Sequence, residues 1–338
     1  MLSGRHREGN GAMRVATAGR NAIVIAMAFG LSAIAQAQTY PVKPVRIIVG
    51  VPPGGTSDTS ARIISPRLAE QLGQQIVIEN RPGANNGIAT EYVARSPADG
   101  YTILWAFSGA LVINPSLYRD VRYDPNKDFA PIHLIGAFQF MLVVPRSLPA
   151  SSVQELIALA KAAKPGEYSY ASGGTGSPNH LTGELLNRMA GIKITHVPYK
   201  GGGPAVISVL SGETAMYYGG IGSLREHVRA GTLKALAVTG PRRAPEAPNV
   251  PTMQEQGLPG YDVQAWVGAL GPAGTPRPIV MQLHRELVRV IAIPEVNAAL
   301  AKEGLDLSSG TPEEFTGRIK TEGAMWAKLI KEADIKGE

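Results

Sequence analysis

Short apolar runs alternate along this chain with stretches in which apolar positions recur every three or four residues, the pattern of an α/β protein. Val45–Val49 (VRIIV) reads as a buried strand. Pro52-Pro53-Gly54-Gly55 follows, then a helix marked by Ala61, Ile64, Leu68 and Leu72 that ends near Gly73. Residues 76–78 form the next strand, 81–87 a Gly/Asn loop leading into a helix through Val93, and 101–106 a third strand after the Asp99-Gly100 turn. This order is that of a doubly wound sheet, whose ligands gather beyond the carboxyl ends of the strands.

A second unit of the same grammar starts with an apolar run at 141–144 and a break at Pro145. It continues with a helix at 153–163, a strand at 168–171, a glycine loop at 173–176 and a helix whose buried stripe is Leu181, Leu185 and Met189. A short strand at 196–197, a helix at 204–210 and strands at 216–218 and 233–238 complete it. Residues 240–260, rich in Pro, Gly and charge, read as a surface excursion, and 263–270 as a strand returning to the first unit. Two crossings between units imply a hinge. No element is assigned beyond Leu270.

Residues 22–33 are small and apolar apart from Ser32, Arg14 and Arg20 precede them, and Ala35-Gln36-Ala37 follows as a cleavage site. This is a signal peptide at 1–37, counted from the true start or from Met13; its apolar run is shorter than the ~20 residues a membrane span needs. About 300 residues then remain, more than one core usually holds, so two domains are expected: 38–141 with 265–338, and 142–264. With 44% hydrophobic and 18% charged residues the composition is that of a soluble chain, and with no cysteine there is no disulfide framework or lipid-anchored cysteine. The 33 basic residues less four in the leader leave 29, and the 27 acidic less one leave 26, a net +3 without basic blocks. That excludes a nucleic-acid footprint and leaves small anions compatible.

Two loops carry the chemistry. In the first, Gly54, Gly55, Thr56 and Ser57 precede Asp58 at a helix start; in the second, Gly173, Gly174, Thr175 and Gly176 lead into Ser177, a good N-cap, and Pro178, suited to the first helical position. Glycines let backbone approach a ligand, and a helix N-terminus turns free N–H groups and the positive end of its dipole toward it. Asp58 reads either as a cap on its own helix or as a contact, and His180 as a ligand-facing or loop-bracing residue. There is no phosphate-loop pattern, Gly174-Thr175-Gly176 meets Asn179 where a dinucleotide fingerprint needs glycine, and no G-x-S-x-G elbow occurs. His133, His180, His196, His227 and His284 are too dispersed for a zinc motif. No catalytic residue, metal or cofactor is expected.

The chain also resembles a known family. PPGGTSD at 52–58, GQQIVIENRPGANNGI at 73–88, DGYTIL at 99–104, NPSLY at 114–118, YASGGTGSPNHL at 170–181, HVPYKGGGPA at 196–205, LKALAVTG at 233–240, VPTMQEQGLPGY at 250–261 and WVGALGPAGTP at 266–276 are similar, in order and spacing, to the Bug-type (TctC-like) binding proteins of tripartite tricarboxylate transporters. The resemblance covers Tyr40 to the C-terminus. It implies a two-lobe, type II-like periplasmic binding protein, each lobe a sheet flanked by helices, that grips a carboxylate in the cleft and delivers it to membrane subunits driven by an ion gradient. Carried over, it implies ligand contacts at Gly54, Gly55, Thr56, Asp58, Ser172, Gly174, Thr175, Gly176, Ser177 and His180. Ser108, Asn114 and Tyr199 match pocket-lining positions, Asn114 and Tyr199 being open to a turn-stabilising role. The family implies a monomer; a sensor-kinase partner, or an enzyme of similar shape, would be the alternative.

Relatives often carry an aromatic residue where this chain has Val51, and acids in the segment that here reads Ala215-Met216-Tyr217-Tyr218-Gly219. Loss of those acids and space beside two tyrosines would suit a dicarboxylate or aromatic carboxylate over an amino acid.

Overall fold

The computed structural model describes residues 40–337, so the signal peptide read at 1–37 lies outside the described residues. Among the described residues ten strands form one sheet, eight of them in the hydrogen-bonded order β2-β1-β3-β9-β4-β7-β5-β6 and the other two, β8 and β10, paired with β4 off that path. In the first part, β1 (Val45–Val49), β2 (Ile76–Asn80) and β3 (Thr102–Phe107) run parallel. They are connected by α1 (Thr56–Leu72) and α2 (Gly87–Ala94). The stripe predicted for α1 is the one the structure buries: Ala61, Ile64, Leu68 and Leu72 all face the core.

Two short helices that the sequence did not reveal, α3 (Ser108–Val112) and α4 (Asn114–Leu117), follow β3 directly. Then comes β4 (Phe129–Pro145), a 17-residue strand of which only the last part was visible in the sequence. Its first portion pairs antiparallel with β9 (Gln264–Pro272) from Phe129 to Gln139. From Phe140 onward it pairs with β7 (Met216–Gly220), and from Met141 with β8 (Leu233–Val238). One strand therefore belongs to both parts of the molecule and changes partners at Gln139–Phe140.

The second part continues with α5 (Val153–Ala162), β5 (Ser169–Ser172), α6 (Pro178–Ala190), β6 (Thr195–Pro198), α7 (Gly202–Ser211) and α8 (Ile221–Arg229). Here β5, β6 and β7 are parallel, so their carboxyl ends share an edge. Leu181 is fully buried, but Met189, expected on the same stripe, is 37% exposed because the helix has turned its last face outward. The 240–260 excursion is also less superficial than its composition suggests, for Met253 and Leu258 are buried in the core.

Helix α6 lies close enough to β5 that a Cβ on Gly183 would sit 2.3 Å from Tyr170 Cε2. Tyr170 cannot yield easily, since it is fully buried and its hydroxyl, with one proton to donate, lies between two acceptors, His180 C=O (3.0 Å) and Glu184 Oε1 (2.7 Å). Gly183→Ala should cost about 2 kcal/mol and lower Tm by several degrees in thermal unfolding; an unchanged Tm would show that the helix can shift at no cost.

The C-terminal region, unassigned from sequence, supplies α9 (Arg277–Ile291), α10 (Pro294–Lys302), β10 (Asp306–Leu307) and α11 (Pro312–Glu332). Helix α9 lays Val280, Leu283, Leu287 and Val290 into the core, a spacing that puts them on one face. Helix α11 starts at a capping box, Thr311 with Glu314. It buries Phe315, whose ring stands edge-on to Trp266 at 5.1 Å over the bare surface of Gly268. Its far end ion-pairs through Glu332 with Arg188 of α6, so α11 ties the two parts together. Among the described residues no helix is long and apolar enough to cross a membrane.

Candidate functional site

Both glycine loops lie at carboxyl ends of parallel strands. The first leaves β1, and Gly55 occupies the N-cap of α1 without a side-chain cap. The first hydrogen bond that α1 returns to the loop is Thr59 N–H to Gly55 C=O (2.9 Å). The N–H groups of Thr56, Ser57 and Asp58 thus have no acceptor among the described residues, as expected of the first turn of an uncapped helix. Ser57 Oγ is buried nearby without a partner among the described residues.

Asp58 is buried, and every part of its carboxylate is engaged by protein. Oδ2 accepts from Gly54 N–H (2.9 Å) and Arg62 Nε (2.9 Å), and Oδ1 from Arg62 Nη2 (2.9 Å) and Asn80 Nδ2 (2.8 Å). The Arg62 guanidinium, helped by Gly54 and Asn80 against the cost of burial, holds its pKa down to about 2. Asp58 is thereby the brace of the PPGG loop, and Asn80 adds a second bond to Val51 C=O (2.9 Å). Pairing with Arg62 also offsets a negative charge that would otherwise oppose an anion at the α1 N-terminus.

Behind this loop, Ala84, Asn85 and Asn86 all have positive φ, a left-handed run that side chains must stabilise. Asn114, buried at the start of α4, does so: its Nδ2 donates to Asn85 C=O (3.0 Å) and Ala84 C=O (3.3 Å), and its Oδ1 accepts from Asn85 Nδ2 (2.8 Å). Asn86 packs against Gly50, where a Cβ would fall 2.7 Å from its own, and its Oδ1 is buried with no partner among the described residues. Ser108 Oγ accepts from Trp266 N–H at 3.4 Å.

The second loop, 172–177, is held from within its own lobe. Ser172 Oγ accepts from Gly174 N–H (3.1 Å), His180 Nδ1 accepts from Gly176 N–H (3.0 Å), and Ser177 caps α6 by accepting from His180 N–H (3.4 Å). Two expected donors, the Gly174 and Gly176 amides, are therefore occupied by protein, and Thr175 N–H is the loop amide left without an acceptor among the described residues. Tyr199 adjoins the loop through its backbone, its N–H donating to Ser172 C=O (3.0 Å), while its ring packs on the cluster around Ala205 and Val209. The tyrosines of β7 are likewise buried, Tyr218 beside Tyr261 (3.3 Å between hydroxyls) and Tyr217 beside Asn179 Nδ2 (3.3 Å), so they line no open space.

The loop also touches the first part of the molecule. A Cβ on Gly176 would lie 1.9 Å from Leu117 Cδ2, Tyr118 donates to Thr175 C=O (3.3 Å), and the ring of Pro178 approaches Gly109. Asn80, Asn86, Leu117 and Tyr118 escaped the sequence reading; the Asn-Asn-Gly sequence at 85–87, whose two asparagines are left-handed, was the one local signal for any of them. A cavity of about 1020 Å3 opens beside Leu117 and Tyr118, between α2, residues 114–123 and residues 335–337, and of the residues expected from the sequence to contact ligand it is lined only by Asn114. Among the described residues no cluster of three metal-ligating side chains exists.

One strand, β4, runs through both parts of the sheet, and each part sets a helix N-terminus beyond the carboxyl end of a parallel strand, which is the architecture of a two-lobe binding protein. The chain belongs to the tripartite tricarboxylate transporter family receptors, whose profile matches residues 60–335, a family of receptors and not of enzymes. Rpa4515 of R. palustris, solved with adipate, is similar at 36% identity and a TM-score of 0.77, over 88% of this chain and 99% of that one. The periplasmic binding protein BugD is similar at 32% and 0.75, over 88% and 100%. MatC from Rhodopseudomonas palustris, with bound malate, is similar at 31% and 0.74, over 86% and 100%.

Proposed function

We propose that this chain captures a small dicarboxylate in the periplasm and delivers it to the membrane subunits of a tripartite transporter. The observation that carries the reading is the α1 N-terminus, whose three N–H groups and Ser57 hydroxyl, without partners among the described residues, ask for an anion. Thr175 N–H offers a second donor from the other lobe. Relatives solved with adipate and malate favour a dicarboxylate of that size, and the absence of acids in 215–219 removes a feature that would hold an ammonium group. The lobes are 38–141 with 265–338, and 142–264, and the solute bound to one draws the other down, since contacts made only in the closed form shift the balance toward it. Export by the leader at 1–37 belongs to the same reading.

The test is thermal unfolding of the chain from residue 38, stripped of ligand, against malate, adipate, aromatic acids and amino acids. At ~100 times Kd a true ligand stabilises by ~2.7 kcal/mol, a shift of several degrees. Stabilisation by dicarboxylates supports the proposal; stabilisation by amino acids alone, or by nothing, removes it.

A further inference from the structure

The 172–177 loop holds three glycines, two of them at φ +129° (Gly174) and +77° (Gly176), yet its amides are not loose. His196 Nε2 lies 2.6 Å from Ser172 Oγ, the atom that receives the Gly174 amide. His180 Nδ1 receives the Gly176 amide directly. The two imidazoles come from different elements, α6 and β6, and stack face to face with ring centroids 3.7 Å apart and planes 15° from parallel. Tyr170 of β5 backs the stack, 5.1 Å from His196, and its hydroxyl is fixed to His180 C=O. Each histidine thus grips one glycine corner, and the stack sets the spacing between corners.

Two apolar side chains could fill this space as well as two imidazoles do; the ring nitrogens turned to the loop are what packing alone does not require. Their effect is selective. Gly174 and Gly176 turn their N–H groups into the lobe, and Thr175, between them, has no acceptor for its N–H among the described residues. We propose that His196 and His180 are positioning residues for solute capture, their stack holding the loop so that the Thr175 amide meets the solute carboxylate. This rests on the loop being the solute site, as argued above.

The test compares the wild type with His196→Leu, His196→Gln, Ser172→Ala and the double variant His196→Leu/Ser172→Ala, all from residue 38. Calorimetry with malate or adipate gives Kd, and amide exchange of Gly174 in ligand-free protein reports the frame directly. His196→Leu and Ser172→Ala should each raise Kd about tenfold, with the double variant no worse than the worse single, because all three cut the same link. Exchange at Gly174 should quicken in each. His196→Gln, able to bond Ser172 Oγ again, should recover both readouts, which a role in packing alone would not predict. Wild-type Kd in His196→Leu and Ser172→Ala, with wild-type binding intact, overturns the positioning role and leaves the function standing. A wild type that binds no carboxylate removes the site, and with it the capture role.

Discussion

Acidification from pH 6.5 to about 4 should cost this protein several kcal/mol of folding stability, and His133 alone should account for about 3 of them. His133 is fully buried in β4, both its ring nitrogens lack partners among the described residues, and the ring of His284 stands edge-on at 5.1 Å. Burial, with repulsion from His284, depresses its pKa from 6.5 to about 4; burial likewise takes His180 to about 3 and His196 to about 4. Because these folded-state values lie below the unfolded one, the unfolded chain binds protons that the folded chain refuses. Stability therefore falls as pH drops through 6.5, and the loss stops growing only below the folded values. Asp58 adds to the loss only under about pH 4, since its carboxylate stabilises the fold above its unfolded pKa and ceases to as it protonates near 2. Glu322, raised by burial, works the other way. Urea unfolding at a series of pH values measures the slope. His133→Leu should flatten it by about 3 kcal/mol across this window, and parallel curves for the two proteins would dismiss the assignment.

Gly176→Ala should weaken solute binding about 100-fold while leaving the ligand-free protein folded. Two costs combine: alanine at φ +77° is strained by roughly 1–2 kcal/mol, and its Cβ would overlap Leu117 Cδ2 at 1.9 Å. Leu117 is buried and part of the core, so the relief is to part the lobes at this contact. Lowering the population of the closed form by a factor lowers apparent affinity by the same factor. Gly174→Ala separates the two costs, since its Cβ would meet nothing closer than Tyr199 C=O at 3.5 Å. Leu117→Ala, by making room, should restore most of the binding lost in Gly176→Ala. Equal losses for Gly174→Ala and Gly176→Ala, without rescue, would mean that loop strain and not lobe approach sets affinity.

What the sequence revealed and what it hid follow from distance along the chain. The α1 stripe, the Ser177 cap with Pro178 behind it, and the two glycine loops are local patterns, and each is where the spacing placed it. The partners of Asp58 are local only in part: Gly54 and Arg62 are four residues away, but Asn80 arrives from the next strand. His196 looked like an ordinary residue of a short strand, and only the register that sets it opposite Tyr170 brings it onto His180. The first half of β4 was masked because the pairing with β9 slips between Pro131 and His133 and again between Leu134 and Gly136, which breaks the period-two pattern. Strand β10 has two residues and no pattern to show.

The path of β9 bears on how the chain acquires its shape. β3 and the first portion of β4 both pair with it, Leu104 with Leu270 and Phe129 with Pro272, across more than a hundred residues of intervening chain. Until residue 272 has been made, the first sheet has two open edges and no centre, whereas 142–238 already contains most of its own strand partners. Contacts so far apart in sequence form slowly, because the loop that joins them must be closed first. The part of the protein synthesised first is thus the part completed last, and a nascent chain that has yet to fold can still be threaded through a narrow channel.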